Sequence, residues 1–330
     1  VGSEMCIRDS VSSRSRRWRY FYMPLNRYGT VYLVGAGPGD PNLLTKRAQR
    51  LIENADIILY DRLVNPFILQ YAKPDIEIID VGKKPYTKHI QQEAINQKMI
   101  EAASKHHHVV RLKGGDPAIF GRVQEEVEAL VELNINFEIV PGITSASAAA
   151  QSMNLGLTMR SIAKNVTFST GHFKDSKDND IDISTLINKG TLAVYMGVKR
   201  LPRIISQIRQ YTSYDYPIAI VFRASLFDEQ VLTGNISNIE QKLNQYKVEG
   251  LPGICIIGDI ISYSQPQIKT KNKEKIYIVK GDRNQALEKC ELLYEQGYGC
   301  MIEVDETYHY SQQALYKSVL KQYTHQFIEL

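Results

Sequence analysis

From Thr30 onward the chain alternates short apolar runs with stretches whose apolar residues recur at helical spacing. This repetition most constrains what it can fold into. Runs at 30–34, 56–60, 77–81, 108–112 and 137–140 read as strands, and 43–54, 90–105 and 121–133 as the helices between them. Strand, loop and helix in repetition predict an α/β fold built on a mostly parallel sheet with helices on its faces. In such sheets ligands bind beyond the carboxyl ends of the strands, so chemistry is expected in the loops that follow these runs.

The second half keeps the strands (165–170, 191–196, 218–222, 229–232 and 253–258) but changes their spacing. The runs at 218–222 and 229–232 are close enough to form a hairpin, which predicts a mixed sheet. Pro141-Gly142 followed by the small-residue run Thr144 to Ala150 reads as a turn opening a tightly packed helix. The expected organisation is two α/β domains, 29–142 and 143–264, then a polar linker and carboxyl-terminal extension over 265–330 of unassigned role. That extension carries one more strand–helix–strand–helix pattern, short for an independent domain. Residues 1–28 lack periodicity and an apolar signal-peptide core, and are expected to be a non-native or disordered extension with Met23 as the true start.

Composition excludes several function classes. The 330 residues suffice for two well-filled cores. A net charge of +4 is too small to imply nucleic acid, yet suits an acidic small molecule if the excess is gathered in a cleft. The four cysteines, Cys6, Cys255, Cys290 and Cys300, are scattered without metal-ligand spacing, so they read as reduced thiols of a cytoplasmic protein. No apolar run reaches the roughly 20 residues of a membrane span. Consecutive residues of His106-His107-His108 point in different directions, so no metal site is expected there.

The first loop, Gly35-Ala36-Gly37-Pro38-Gly39-Asp40, stands where a dinucleotide fold carries its phosphate-binding glycines. Pro38 removes one backbone donor, and Asp40 puts a negative charge where a phosphate must approach. Both argue against a nicotinamide cofactor and for a ligand without phosphate, although a tight turn explains the glycines equally well. The fourth strand ends in Arg111-Leu112-Lys113-Gly114-Gly115-Asp116-Pro117. Its paired glycines admit close backbone approach, and Asp116 offers a carboxylate to a cationic or hydroxylated ligand. A β-turn accounts for the glycines but not for the basic pair flanking them. Tyr60-Asp61-Arg62 and Val81-Gly82-Lys83-Lys84 close the second and third strands at the same rim. A carboxylate and an amine converging there are candidates for proton transfer, against the commoner reading as a rim ion pair.

Taken in order, Gly35–Asp40, Tyr60-Asp61-Arg62-Leu63-Val64, Val81-Gly82-Lys83, Arg111 to Pro117, Val140-Pro141-Gly142-Ile143-Thr144, Thr170-Gly171-His172 and Tyr195-Met196-Gly197 resemble the tetrapyrrole (class III) methyltransferases. The resemblance spans roughly 30–262. It implies two α/β domains with S-adenosyl-L-methionine as cosubstrate in the cleft between them, no metal, and a homodimer. It further implies methylation of uroporphyrinogen III at two ring carbons, C2 and C7, giving precorrin-2 for sirohaem or cobalamin. Carried over residue by residue, cofactor contacts fall on Pro38, Gly114, Gly115, Asp116, Ile119, Thr144, Ser145, Met196 and Ala224. Asp61 becomes the proton acceptor and Lys83 the proton donor, with Arg62, Lys113 and Arg160 meeting substrate carboxylates.

The chain departs from the family pattern at Val123-Gln124, where a glycine pair is common, at Thr158-Met159-Arg160, where the middle residue is usually His, and at Ser145, usually Ala. The family offers no guide to 275–330 beyond fusions to a synthase domain, of which this segment would be a remnant. Rival readings are another class III methyltransferase (for a later corrin intermediate, diphthine or ribosomal RNA), an NAD-dependent oxidoreductase, and a catalytically idle binding protein. Neither a nucleic-acid nor a membrane partner is expected.

Overall fold

The computed structural model describes residues 27–82, 92–171, 181–246, 248, 250–265 and 275–330. The extension predicted over 1–28 and the linker after residue 264 therefore lie almost wholly outside the described residues. So do Lys83, Lys84 and His172.

In chain order the first unit holds β1 (Thr30–Gly35), a 3-10 turn (Pro41–Leu43), α1 (Lys46–Glu53), β2 (Ile57–Tyr60), α2 (Pro66–Leu69), β3 (Glu77–Asp80), α3 (Gln92–Ala103), β4 (His108–Lys113), α4 (Val123–Glu132) and β5 (Phe137–Val140). Its five strands form one parallel sheet ordered β3-β2-β4-β1-β5. The sheet is covered on both sides, which is why its central strands read as continuous apolar runs. Val31 and Leu33 pack with Ile95 and Met99 of α3 and Leu130 of α4, while Val34, Val110 and Leu112 pack with Ala48, Leu51 and Ile52 of α1. Truncating one of these fully buried leucines to alanine costs about 2–5 kcal/mol.

The helix expected over 43–54 is interrupted, because local side chains cap two separate pieces. Asp40 accepts from the Asn42 amide with Pro41 opening the 3-10 turn, and Thr45 Oγ1 then accepts from the Ala48 amide to start α1. The short α2 was not anticipated; Asn65 caps it ahead of Pro66.

The second unit comprises α5 (Ser145–Ser152), β6 (Val166–Thr170), α6 (Ser184–Ile187), β7 (Thr191–Tyr195), α7 (Leu201–Tyr211), β8 (Pro217–Phe222), β9 (Gln230–Asn235), α8 (Ile239–Asn244) and β10 (Gly253–Ile257). Its sheet runs β6-β7-β10-β8-β9 and is mixed as expected: β6 and β7 are parallel, and β8 and β9 form the antiparallel hairpin. The alanines of α5 let it lie close to this sheet, with Ala146 and Ala149 buried alongside Ala193, Ala219 and Ile256.

The carboxyl-terminal stretch folds as β11 (Lys275–Lys280), α9 (Arg283–Glu295), β12 (Gly299–Glu303), α10 (Tyr310–Gln322) and β13 (Thr324–Glu329). The last of these is a strand the periodicity had not disclosed. All three strands are parallel, ordered β12-β11-β13. This unit has no core of its own. Ile276, Ile278, Cys290, Tyr294 and Met301 share one buried cluster with Phe67, Ile68 and Ile76 of the first unit and with Phe227, which enters from the second. A segment this short gains stability by burying its apolar face on a neighbour.

Candidate active site

Three glycine backbones meet where β1, β4 and β5 end. A Cβ on Gly142 would lie 2.3 Å from the Gly115 carbonyl oxygen, and one on Gly35 would lie 2.7 Å from both that oxygen and the Gly142 Cα. Gly37 and Gly115 exchange two backbone hydrogen bonds, 3.2 Å from the Gly37 amide and 2.7 Å from the Gly115 amide. Gly115 sits at φ +72°, yet no atom lies within 4 Å of where its own Cβ would project. One side of this junction is therefore packed backbone and the other is open, a cradle whose free face a side chain would fill. Pro38, between Gly37 and Gly39, is half-buried, as are Gly114, Asp116 and Ile119. Asp116 folds its own loop, Oδ1 accepting from the Ala118 amide at 2.8 Å.

The second unit supplies the facing wall. The Tyr195 hydroxyl lies 2.6 Å from Thr144 Oγ1 at the start of α5, one residue before the half-buried Ser145. Burial raises the Tyr195 pKa, and the Thr144 hydrogen bond only partly opposes this. The Tyr195 ring bridges the two units, with Phe120 on one side at 5.1 Å and Phe168 on the other at 5.7 Å. The next residue, Met196, adopts φ +55° and remains 52% exposed. Ala224 is buried between Arg223 and Ser225, both at positive φ (+49° and +68°). Ser225 Oγ accepts from the Asp40 amide at 3.0 Å, tying this turn to the first glycine loop. Left-handed backbone at three non-glycine residues costs on the order of 1 kcal/mol each, and such strain gathers where a site demands a fixed shape. The loops carrying Pro38, Gly114, Gly115, Asp116, Ile119, Thr144, Ser145, Met196 and Ala224 are thus neighbours, linked through Gly37 and Gly115, Thr144 and Tyr195, Phe120 and Tyr195, and Asp40 and Ser225.

Asp61 follows β2 at the same rim. Its Oδ1 accepts from the Arg111 guanidinium at 2.6 Å, and its side chain remains 31% exposed. Arg111 is itself buried and also donates to Glu126 Oε1 at 3.0 Å. Burial works against the guanidinium charge, but Asp61 and Glu126 outweigh it and hold the Arg111 pKa above its ordinary value. Glu126 is completely buried on α4, and its second oxygen accepts from Lys113 Nζ at 2.8 Å. The result is a neutral interior network, two cations against two carboxylates, that fixes the orientation of Asp61.

This network corrects the expectation for Lys113. Arg111 and Lys113 are two residues apart on β4 and so share one face, which α4 covers with Glu126. Lys113 is 3% exposed, so it serves an internal carboxylate rather than a ligand's. Burial and the neighbouring Arg111 charge lower its pKa, with Glu126 compensating only in part. Arg62 and Arg160 are exposed, as a role in meeting substrate carboxylates requires. Gly82 packs on Arg62: a Cβ there would stand 2.6 Å from both the Arg62 Cβ and its amide nitrogen. Lys83, the next residue, lies outside the described residues. Glu126 was missed in the sequence. The available signal was a carboxylate four residues before Leu130, on the stripe of α4 that faces the core.

Among the described residues no group of three or more His, Cys, Asp or Glu is gathered as for a metal ion, and no helix is long and apolar enough to cross a membrane. Cys255, Cys290 and Cys300 are free and buried.

Comparison with known proteins follows the same lines. Residues 30–240 match the family model of the tetrapyrrole (corrin/porphyrin) methylases. A uroporphyrinogen-III C-methyltransferase of Priestia megaterium is 45% identical over 239 residues, 72% of this chain and 100% of the relative. A siroheme synthase of Pseudoalteromonas atlantica is 44% identical over 71% of this chain, which spans 51% of that longer protein. Among solved structures, the uroporphyrin-III C-methyltransferase of Thermus thermophilus in complex with S-adenosylhomocysteine matches with a TM-score of 0.61 and 36% identity, over 71% of this chain and 100% of the other. A cobalt precorrin-4 methyltransferase matches at 25% identity with a TM-score of 0.62, over 73% of this chain and 99% of that one. On the family match over 30–240 and the 45% identity to a relative covered over its whole length, the chain belongs to the tetrapyrrole (corrin/porphyrin) methylases.

Proposed function

We propose that this chain methylates uroporphyrinogen III at C2 and C7, using S-adenosyl-L-methionine and giving precorrin-2. The observation that carries the reading is the glycine junction of Gly35, Gly115 and Gly142, open at Gly115, with Thr144 two residues beyond Gly142 hydrogen-bonded to Tyr195 of the second sheet. The Priestia megaterium relative, matched over its whole length, supports the choice of substrate. The donor, when bound, supplies a methyl group already activated on a sulfonium, so the protein's contribution is position and proton handling.

The residues divide that work. Gly114, Gly115 and Asp116 offer backbone and a carboxylate to a ligand lacking phosphate, and Pro38 and Asp40 disfavour one that has it. Thr144, Ser145, Met196 and Ala224 close the opposite wall. Arg62 and Arg160 meet substrate carboxylates through charge-assisted hydrogen bonds. Asp61, its Oδ1 held by Arg111, accepts at a carboxylate oxygen the proton that the cationic macrocycle gives up, from a position other than the now quaternary ring carbon, once the methyl group has been added. Lys83 is assigned as proton donor. The division into domains at 29–142 and 143–264, a homodimeric assembly, a cytoplasmic location and entry of the product into sirohaem or cobalamin synthesis complete the proposal.

The test is incubation with uroporphyrinogen III and donor labelled in its methyl group. Two labelled methyl groups per macrocycle, followed at high donor by a red-fluorescent trimethylated product, are expected. Label appearing in no tetrapyrrole would overturn the assignment.

A further inference from the structure

The carboxyl-terminal unit reaches the backs of both the glycine junction and the wall facing it. On the first side, the Asn65 amide donates to the Gly39 carbonyl at 2.7 Å and to the Tyr294 hydroxyl of α9 at 3.0 Å. The Tyr294 hydroxyl lies 3.4 Å from the Cys300 carbonyl, so a buried chain of polar groups runs from β12 to the residue following Pro38. On the second side, Arg223 donates to the Tyr323 hydroxyl at 3.1 Å and to Asp228 at 2.6 Å. Arg223 directly precedes Ala224, and the Ser225 hydroxyl accepts from the Asp40 amide. Between the two, Phe227 of the second unit inserts into the core shared by the first and third units. Its ring stacks edge-on to Tyr323 at 5.4 Å. Gly299 makes room for it, since a Cβ there would stand 2.5 Å from the Phe227 ring.

We infer that residues 275–330 are a built-in brace for the methyl-donor site, with Tyr294 and Tyr323 as positioning residues that hold the Gly39 turn and the Ala224 turn at their working separation. The inference rests on reading the glycine junction as the donor site. A relative matched end to end over 239 residues has length for the two methylase units but none for this third one, so the brace is an addition in this chain. Among the described residues the unit makes no hydrogen bond or ion pair with Asp61, the proposed proton acceptor, which separates its effect from that chemistry: it acts on donor affinity through the two turns.

The experiment measures S-adenosylhomocysteine affinity by calorimetry, and kcat and the donor KM by assay, for the full chain and for Tyr294→Phe, Tyr323→Phe and the double variant. Tyr316→Phe is the control. Its hydroxyl bonds to Glu303 inside the same unit and to neither turn. Loss of one hydrogen bond, neutral at Tyr294 and charge-assisted at Tyr323, predicts about a threefold to tenfold rise in Kd and donor KM for each test variant, and more for the double, with kcat at saturating donor within about twofold. Tyr316→Phe keeps the wild-type Kd. Unchanged affinity in Tyr294→Phe and Tyr323→Phe, or an equal loss in Tyr316→Phe, overturns the brace. A wild-type chain that fails to bind S-adenosylhomocysteine overturns the donor-site reading instead.

Discussion

Replacing Glu126 by Gln removes one negative charge from a site that solvent does not reach. Glu126 is fully buried, and it faces Arg111 at 3.0 Å and Lys113 at 2.8 Å, whose side chains are 2% and 4% exposed. In the variant these two cations have only Asp61 to balance them, so one positive charge is left uncompensated in the interior. Breaking a buried pair this way costs about 3–5 kcal/mol, far above the roughly 1 kcal/mol of an exposed one. Lys113→Met alone is milder, because Glu126 keeps Arg111. Combined with Glu126→Gln it restores neutrality, leaving Arg111 with Asp61. The double variant should therefore be more stable than Glu126→Gln alone, with a coupling energy on the order of 2 kcal/mol. Urea unfolding followed by circular dichroism on all four proteins measures it. Additive effects within about 0.5 kcal/mol, or a cost for Glu126→Gln below about 1 kcal/mol, would refute the closed network.

Other expected outcomes are separate from this one. Asp61→Asn should lower kcat by about a hundredfold or more while S-adenosylhomocysteine affinity stays within twofold; equal losses in both would make Asp61 a structural residue. Gly142→Ala, whose Cβ would meet the Gly115 carbonyl at 2.3 Å, should cost both melting temperature and ligand affinity. Gly115→Ala, whose Cβ would enter open space but whose backbone sits at φ +72°, should cost on the order of 1 kcal/mol of stability and lower affinity as well, and an unaltered Kd there would place the ligand elsewhere. Tyr60 has its pKa raised to about 12 by burial and by Asp80. A raised folded-state value gives stability that is complete below pH 10 and is lost as pH climbs toward 12. Tyr60→Phe should therefore flatten the fall of the urea midpoint across that window, and an unchanged slope would contradict the burial of this hydroxyl.

The sequence discloses most where one local rule is enough. The glycine loops, the strands of the first sheet and the 218–232 hairpin follow from spacing and turn chemistry alone, and each lies where expected. It discloses least where two distant segments decide the outcome. Lys113 reads as a rim cation because its position at a strand end is visible, whereas the helix that covers its face with Glu126 is a tertiary fact. Glu126 itself hides among Glu125, Glu128 and Glu132 on a helix that otherwise looks solvated. Residues 275–330 look too short to fold because their core is borrowed. Phe67, Ile68 and Phe227 complete it, and nothing local to the segment announces them. The positive φ of Met196, Arg223 and Ser225 is equally silent, since none of these residue types favours that region.

The most direct measurement is a crystal structure of the full chain grown with S-adenosylhomocysteine. Ligand density is expected between Gly115 and Met196, with the Gly35–Gly142 contact intact behind it and Asp61 still on Arg111. Density bound elsewhere, or that space closed over by protein while the ligand occupies another cleft, would contradict the donor-site reading.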